Sequence, residues 1–453
     1  MNSHLKRLSR GEAMSLMTGL FCLCLALIAA PSCTQSDIAS IIPGDMPEDG
    51  LAGAKTRADV SSFFVDEDDI DCYITFKSMI EKEDVKVNSI VPVSKAGNVL
   101  AYAINYENSW ELVSADRRTP QVLATGSGKY QEKECNPAAK AWLDDILACV
   151  EGLSGLTELN EVHKANVNHW KMITQDQAYL ERICGGQTRS GNSLQYRIVR
   201  IDTVYIGTPT PHLICAEWGQ TSPFNMYCPL KSYSDSERAP AGCVAVAGAQ
   251  MAYHLHGLWE NPATAPERAS CSGHVGGTIS MSQYDFTADA WDMIDEGDTT
   301  VIAALIAYVG SVVEMLYGND SSGANTCYLS SRLFNDIYHY ETQYIDYDED
   351  VVYELLQNDI PVVTRGYDNG GHAFIIDRYF DAATDYYYTI QVLSDDIIVG
   401  EVDYTQFGRT LFFGMNWGYG GIGNENLYVT TAPWMCGASN YHNEAKIINF
   451  IQQ

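Results

Sequence analysis

A cysteine at the start of an apolar helix is the first residue in this sequence that could do chemistry. Cys243 directly follows Gly242, and the residues from 243 to 255 are apolar or small on nearly every side, which predicts a buried central helix. The positive end of a helix favours thiolate and lowers the thiol pKa from its usual value of ~8.5. A lone cysteine on an apolar helix is more often an inert core residue, so a nucleophilic role depends on partners elsewhere.

A histidine suited to proton transfer is found further along the chain. His372 lies in the segment NGGHAFIID (369–377), where two glycines lead into an apolar, strand-like run. A histidine at the entrance of a strand has a rigid backbone and an accessible ring, as a general base requires. The sequence therefore pairs a candidate nucleophile, Cys243, with a candidate base.

Two further segments complete the set. Gln220 lies upstream of the cysteine in Trp218-Gly219-Gln220, and its amide could join the Cys243 backbone N–H in stabilising an oxyanion. Asn416 and Trp417 follow the histidine; the asparagine could accept a hydrogen bond from His372 and fix its tautomer, while the indole shields that bond from water. Taken singly, a glutamine such as Gln220 is more often a surface residue, and a tryptophan such as Trp417 is more often a core residue. The interpretation therefore depends on finding all of them in the order Gln, Cys, His, Asn-Trp.

Five blocks in this order resemble the streptopain family of cysteine peptidases, a branch of the papain-like enzymes. The blocks are WGQTSPFN (218–225), AGCVAVAGAQMAYHLHGLWENP (241–262), VGSVVEMLYG (309–318), GGHAFIIDRY (370–379) and FFGMNWGYGG (412–421). His372 also follows Cys243 by about 130 residues, close to the ~130–150 typical of papain-like enzymes.

The resemblance implies a role for each matching residue. Cys243 is the expected nucleophile, His372 the proton acceptor and donor, Gln220 the oxyanion-hole side chain, and Asn416 with Trp417 the supports of the histidine. It also implies an α+β fold in which a helical part with the cysteine-bearing central helix packs on an antiparallel β part. That catalytic domain is expected over residues 191–453.

The segment 98–130 is similar to the inhibitory propeptide domain of the same family. The resemblance implies a small α+β prodomain over residues 61–190 that acts as an intramolecular inhibitor. The residues themselves predict a hairpin of strands 99–104 and 110–114, then a helix that begins at Asn136-Pro137. The glycine-rich segment 184–192 is expected to contain the cleavage region, around Arg189, although an ordinary interdomain linker is the alternative.

Three residues depart from the family pattern. Arg378 stands where the family usually has glycine, Met415 replaces a small apolar residue, and Tyr419 replaces a second tryptophan. None of them removes a reacting group. We expect these departures to affect substrate preference and local packing rather than catalysis.

The N-terminus reads as a targeting segment. Basic residues precede an apolar run from Leu16 to Ala30, and residues 1–33 end in Ala-Pro-Ser-Cys, which resembles a lipobox with Cys33 as the lipidated residue. Residues 34–60 then form a polar tether. An exported bacterial lipoprotein of the outer membrane, cell surface or periplasm is expected. Secretion after processing, ordinary signal cleavage and a retained anchor are the alternatives.

Composition limits the remaining possibilities. The chain has 453 residues, 46% of them hydrophobic, with 58 acidic and 28 basic residues. This length exceeds one core of ~250–300 residues and predicts two or three domains. A formal net charge of -30 repels phosphate backbones, so nucleic acid is not an expected partner.

The cysteines fit neither a disulfide framework nor a zinc site. Of the 13, Cys22, Cys24 and Cys33 lie in the targeting segment, and the others have irregular spacing without a C-x-x-C pair. We expect no metal and no cofactor, and leave disulfides open.

The predicted function is hydrolysis of peptide bonds in protein or peptide substrates by a cysteine endopeptidase made as a zymogen. Two alternatives remain from the sequence: a catalytically silent binding protein on a papain-like scaffold, and a different Cys-His acyl hydrolase or transferase.

Overall fold

The computed structural model describes residues 63–131, 136–156, 158–185, 194–231, 236–258, 288–366, 371–431 and 445–451. All of them lie within one compact unit of the chain, Ala54–Gln453. Cys33, the tether 34–60 and Arg189 lie outside the described residues. Among those described, no helix combines the length and hydrophobicity that crossing a membrane requires.

The chain is α+β, as the sequence predicts. The described α-helices are, in chain order, α1 Glu67–Glu81, α2 Pro137–Gly152, α3 Glu161–Ile173, α4 Gln177–Ile183, α5 Cys243–Leu258, α6 Ala288–Asp295, α7 Thr299–Val312 and α8 Glu349–Gln357. A π-helix covers Leu329–Ile337, and a short 3₁₀ helix covers Leu153–Gly155.

Eleven strands are described. They are β1 Ser89–Lys95, β2 Asn98–Asn105, β3 Ser109–Ser114, β4 Val122–Ser127, β5 Leu194–Ile206, β6 Thr342–Asp346, β7 Val362–Gly366, β8 His372–Ser394, β9 Ile397–Asn416, β10 Leu427–Val429 and β11 Lys446–Phe450. They form one sheet in the order β1-β2-β3-β4-β10-β9-β8-β7-β11-β6, with β5 paired separately to β8. The described pairs are antiparallel.

The N-terminal elements form as their sequence predicts. β2 and β3 pair as an antiparallel hairpin, with Asn105 opposite Trp110. Asn136 caps α2, since its side chain accepts a hydrogen bond from the Ala139 N–H at 2.8 Å, and Pro137 occupies the first turn.

The sheet runs without interruption from the N-terminal strands into those of the C-terminal half. β4 pairs with β10 through Leu427 opposite Thr125 and Tyr428 opposite Ala124. Side chains of α1, α3 and β2 also share a core with β5 and β8: Phe76 contacts Tyr388 with ring centroids 6.4 Å apart, for example. The proposed boundary near residue 190 is therefore crossed by both main-chain and side-chain contacts, and it stays a prediction.

The central helix α5 is buried as expected. Ala245, Val246 and Ala249 are almost fully inaccessible, and α5 packs against α7 and the π-helix. Small residues allow this close packing: a Cβ on Gly248 would lie only 2.8 Å from Val309 Cγ1 of α7. Helix α7 ends at Val312, although apolar residues continue to Tyr317, because the chain turns at Glu314, which has φ 55.

Strands β8 and β9 place the ends of the hairpin beside α5. They form a long antiparallel pair in which Ile375 lies opposite Asn416. His372 at the start of β8 and Asn416 at the end of β9 thus come together at one end of the hairpin. The topology alone brings two segments of the predicted site into proximity.

Candidate active site

Cys243 is the first residue of α5, as the sequence predicts. The preceding Gly242 has φ 88, and a Cβ there would lie 2.8 Å from Met315 Sδ and 3.1 Å from the Ser322 carbonyl oxygen. Glycine is therefore needed for the sharp turn into the helix. The turn leaves the thiol in the first helical turn, where backbone N–H groups have no partner within the helix.

His372 opens β8 and lies opposite Gly366 of β7. Its ring is half-buried between aromatic neighbours. It stacks on Tyr419, with centroids 5.1 Å apart and planes inclined by 24°, and faces Phe374 at 6.2 Å. These contacts hold the ring in one orientation.

The Cys243 and His372 side chains are hydrogen-bonded to each other. Burial by itself raises the pKa of the Cys243 thiol. The hydrogen bond and charge of His372, together with the backbone N–H groups of Ala373 and Val244, outweigh burial, and the pKa is lowered overall. The site therefore favours the thiolate of Cys243, which is the reactive form of a cysteine.

The second nitrogen of the histidine ring fixes its tautomer. His372 Nε2 lies 2.9 Å from the backbone carbonyl oxygen of Trp417. A carbonyl oxygen can only accept a hydrogen bond, so Nε2 carries a proton in both charge states of the ring. In the neutral ring this leaves Nδ1 as the atom able to take the proton of the Cys243 thiol.

The expected hydrogen bond from His372 to the Asn416 side chain is absent from the described contacts, and this prediction was wrong in its detail. The Asn416 amide is buried and bonded elsewhere: Nδ2 donates to the Ala216 carbonyl at 2.8 Å, and Oδ1 accepts from the Gly418 N–H and from Gln250 Nε2, each at 3.2 Å. Asn416 thereby fixes the turn after Trp417, and the backbone carbonyl of Trp417 becomes the acceptor for His372.

The Trp417 side chain packs beside an aromatic neighbour of the histidine. Its side chain is fully buried and contacts Phe374 with centroids 4.7 Å apart and Tyr428 at 5.8 Å. Phe374 in turn faces the His372 ring. The indole thus supports the Phe374 ring that faces the histidine.

Gln220 also lies at the site. Its backbone carbonyl accepts from the Ala241 N–H at 2.8 Å, two residues before Cys243. Its side chain is half-buried and hydrogen-bonds to the phenol of Tyr419. The backbone of Gln220 is therefore tied to the residues before α5, and its side-chain amide is held by Tyr419, the ring that stacks on His372.

Tyr419 is a site residue that sequence reasoning did not identify. In the sequence it is only a departure from the family pattern, whereas in the structure its ring covers His372 and its hydroxyl contacts Gln220. Burial, followed by the nearby charge of Cys243, raises the pKa of Tyr419, so the phenol stays protonated at neutral pH. An aromatic residue two positions after Trp417, in the turn that follows Asn416, was the available signal.

Gln250, on α5, is a second missed residue. It is fully buried, and its Nε2 donates to both the Ala216 carbonyl at 2.8 Å and Asn416 Oδ1 at 3.2 Å. A polar residue on an otherwise apolar face of the helix was its only signal in the sequence.

Comparison with known families agrees with this geometry. A thiol hydrogen-bonded to an imidazole on an α+β scaffold is the site of a cysteine hydrolase. The Peptidase C10 family model matches residues 218–427, so this segment is similar to the streptopain family of papain-like cysteine peptidases. The predicted resemblance is confirmed for these residues. No curated protein matches the chain.

The described residues contain no group of three or more His, Cys, Asp or Glu side chains arranged to hold a metal ion. The predicted cleavage region around Arg189 and the predicted lipidated Cys33 lie outside the described residues and stay predictions.

The lowered pKa of Cys243 can be measured through its alkylation. We expect the rate of Cys243 modification by iodoacetamide to rise with pH around a midpoint below the ~8.5 of a free cysteine. His372→Ala should move that midpoint above the value of a free cysteine, because burial raises the thiol pKa and His372 no longer offsets it. Peptide mapping by mass spectrometry separates Cys243 from the other thiols, and exposed Cys215 is the internal reference; equal midpoints in both proteins would contradict the pairing.

The contact between Tyr419 and Gln220 predicts a coupled effect on turnover. Tyr419→Phe keeps the stacked ring and removes the hydroxyl, and we expect kcat/KM on a peptide substrate to fall about 5-fold, the equivalent of one hydrogen bond of ~1 kcal/mol. Gln220→Ala should cost ~10²-fold or more.

The double variant decides whether the two residues act together. If the Tyr419 hydroxyl acts by orienting Gln220, the double variant will have the same kcat/KM as Gln220→Ala alone. Fully multiplicative losses would show that the hydroxyl acts independently of Gln220.

Proposed function

We propose that this chain is a cysteine endopeptidase made as an exported zymogen, which hydrolyses peptide bonds in proteins through Cys243 and His372. The observation that carries the proposal is the hydrogen-bonded pair of Cys243 and His372, with the histidine tautomer set by the Trp417 carbonyl. The match of residues 218–427 to the Peptidase C10 family supports the reaction class.

In the first half of the reaction, the thiol proton passes to His372 and the sulfur attacks the carbonyl carbon of the scissile bond. A C–S bond forms and the carbonyl oxygen becomes an oxyanion. In this proposal the Cys243 backbone N–H and the Gln220 side-chain amide donate hydrogen bonds to it. The C–N bond then breaks, and the imidazolium gives its proton to the leaving amine.

In the second half, water releases the acyl group. His372 takes a proton from the water as its oxygen attacks the thioester carbon. The C–S bond breaks, the carboxylic acid leaves and the proton returns to the sulfur. No step requires a group from outside the chain except water.

The position of the N-terminal residues supports control of the site by residues 61–190. Trp142 of α2 packs edge-on against Phe374, with centroids 5.6 Å apart, and Phe374 faces His372. Asn136 Nδ2 donates to the Ile422 carbonyl at 2.8 Å, in the turn that carries Tyr419. The N-terminal region thus contacts Phe374, which faces the histidine, and the turn that carries Tyr419. Cleavage between residues 184 and 192 would sever its covalent connection to β5.

Self-processing tests the proposed function directly. A chain lacking residues 1–33 is incubated alone, beside Cys243→Ala and a control Cys215→Ala. We expect the normal chain and the Cys215→Ala control to shorten within 184–192 and then hydrolyse casein, while Cys243→Ala stays full length. Intact mass spectrometry follows the cleavage.

Each other outcome is informative. Equal casein hydrolysis by cleaved Cys243→Ala would remove Cys243 from the mechanism. A folded chain whose Cys243 is alkylated normally, but which binds protein without cutting it after cleavage by an added protease, would favour the silent binding protein instead.

The proposed anchor has its own test. In cells given a labelled fatty acid, the full chain should incorporate label and sediment with membranes, whereas Cys33→Ala should do neither. Cys24→Ala is the matched control and should behave as the normal chain. Equal labelling of Cys33→Ala would rule out lipidation at this residue.

A further inference from the structure

The Trp417 carbonyl and the Tyr419 ring both contact His372, and both belong to the turn that follows β9. The turn, residues 417–426, joins β9 to β10 and contains the Trp417 carbonyl and the Tyr419 ring. Its four glycines, Gly418, Gly420, Gly421 and Gly423, have φ between 66 and 84. A glycine-rich turn has many conformations available, so its single observed shape depends on outside contacts.

Arg378 supplies such a contact. It lies on β8, six residues after His372, and is 8% exposed. Its Nη2 donates to the Glu425 carbonyl at 2.7 Å and to the Asn424 carbonyl at 3.4 Å. A guanidinium is always charged and has several donors in a fixed plane, so it can hold adjacent carbonyls together.

The pairing of β8 with β9 determines the path of the Arg378 side chain. The register of β8 and β9 shifts between Ile376 and Arg378, which brings Arg378 opposite Gly414. A Cβ on Gly414 would lie 2.6 Å from Arg378 Cγ and 3.0 Å from Cδ. The arginine therefore crosses β9 over a residue with no side chain and reaches the turn behind it.

Asn424 connects this contact to the histidine. The residue is buried, and while its carbonyl accepts from Arg378, its Oδ1 accepts from the Trp417 N–H at 3.1 Å. The carbonyl of Trp417 accepts from His372 Nε2 at 2.9 Å. Each step is a hydrogen bond between buried or half-buried groups, where loss of a partner is costly.

We propose that Arg378 is a positioning residue for His372, acting through Asn424 and the Trp417 carbonyl. Arg378 does not touch the reacting atoms. Its role is to hold the glycine-rich turn in the shape that presents the Trp417 carbonyl to Nε2. The inference rests on the proposed peptidase function, and an alkylation readout tests it without requiring peptidase activity.

Two variants disturb the contact in different ways. Arg378→Met removes the guanidinium and keeps an apolar stem, whereas Gly414→Ala keeps the arginine and blocks its path. We expect each to lower kcat about 10-fold with KM within 2-fold, and to move the acid limb of the kcat/KM profile upward because the thiolate pair is weakened. Arg409→Met is the control: Arg409 pairs with Asp381 on the same hairpin, at 2.7 Å, away from the turn.

A readout independent of turnover separates this proposal from the proposed function. In both variants the alkylation midpoint of Cys243 should rise relative to the normal chain, and in Arg409→Met it should not. If thermal stability falls but the alkylation midpoint and kcat of the folded variants are unchanged, Arg378 is only structural and the inference is overturned. If the normal chain cuts no protein yet the midpoints shift as expected, the positioning role stands and the peptidase proposal fails.

Discussion

The hydrogen bond between His372 Nε2 and the Trp417 carbonyl is the contact on which the rest of the site depends. Because the carbonyl is only an acceptor, the bond fixes the proton on Nε2 and leaves Nδ1 for the thiol. Without that constraint the imidazole would populate both tautomers, and the hydrogen bond and charge that lower the pKa of Cys243 would be weakened. A buried thiol lacking this partner would have a raised pKa and little nucleophilicity.

Three parts of the fold position the groups that form this site. Helix α5 fixes Cys243 through the turn at Gly242, the start of β8 fixes His372, and the turn after β9 presents the Trp417 carbonyl. The segment 216–220 ties these parts together: the Ala216 carbonyl accepts from Asn416, the Trp218 carbonyl from the Gly420 N–H, and the Gln220 carbonyl from the Ala241 N–H. The site is thus assembled mainly by backbone carbonyls around a buried polar cluster.

Sequence reasoning predicted the elements and the reacting pair because their signals are local. Gly242-Cys243 before an apolar run predicts a helix start, and two glycines before an apolar run predict the strand that begins at His372. The length of β8 and β9 was not predicted, because aspartates such as Asp381 and Asp385 interrupt the apolar pattern that marks a strand. The backbones of β8 and β9 are nevertheless paired along most of the hairpin, including at Asp381 and Asp385.

The acceptor for His372 was misassigned for a physical reason. Sequence displays side chains, so Asn416 was the visible acceptor, whereas every residue has a backbone carbonyl and nothing in the sequence marks the one at Trp417. The roles of Tyr419, Gln250 and Arg378 were missed for a related reason. Each depends on a partner distant in sequence, respectively Gln220, Asn416 and the Asn424–Glu425 carbonyls.

The central claim is that the Cys243 thiolate forms the covalent bond to substrate, and a peptide fluoromethyl ketone tests it most directly. Such a reagent alkylates a thiolate that is oriented for attack on a bound peptide. We predict that one equivalent abolishes peptide hydrolysis and that mapping by mass spectrometry finds the adduct on Cys243, with His372→Ala unreactive under the same conditions. Inactivation with the adduct on another residue, or full hydrolysis by protein completely modified at Cys243, would contradict this account.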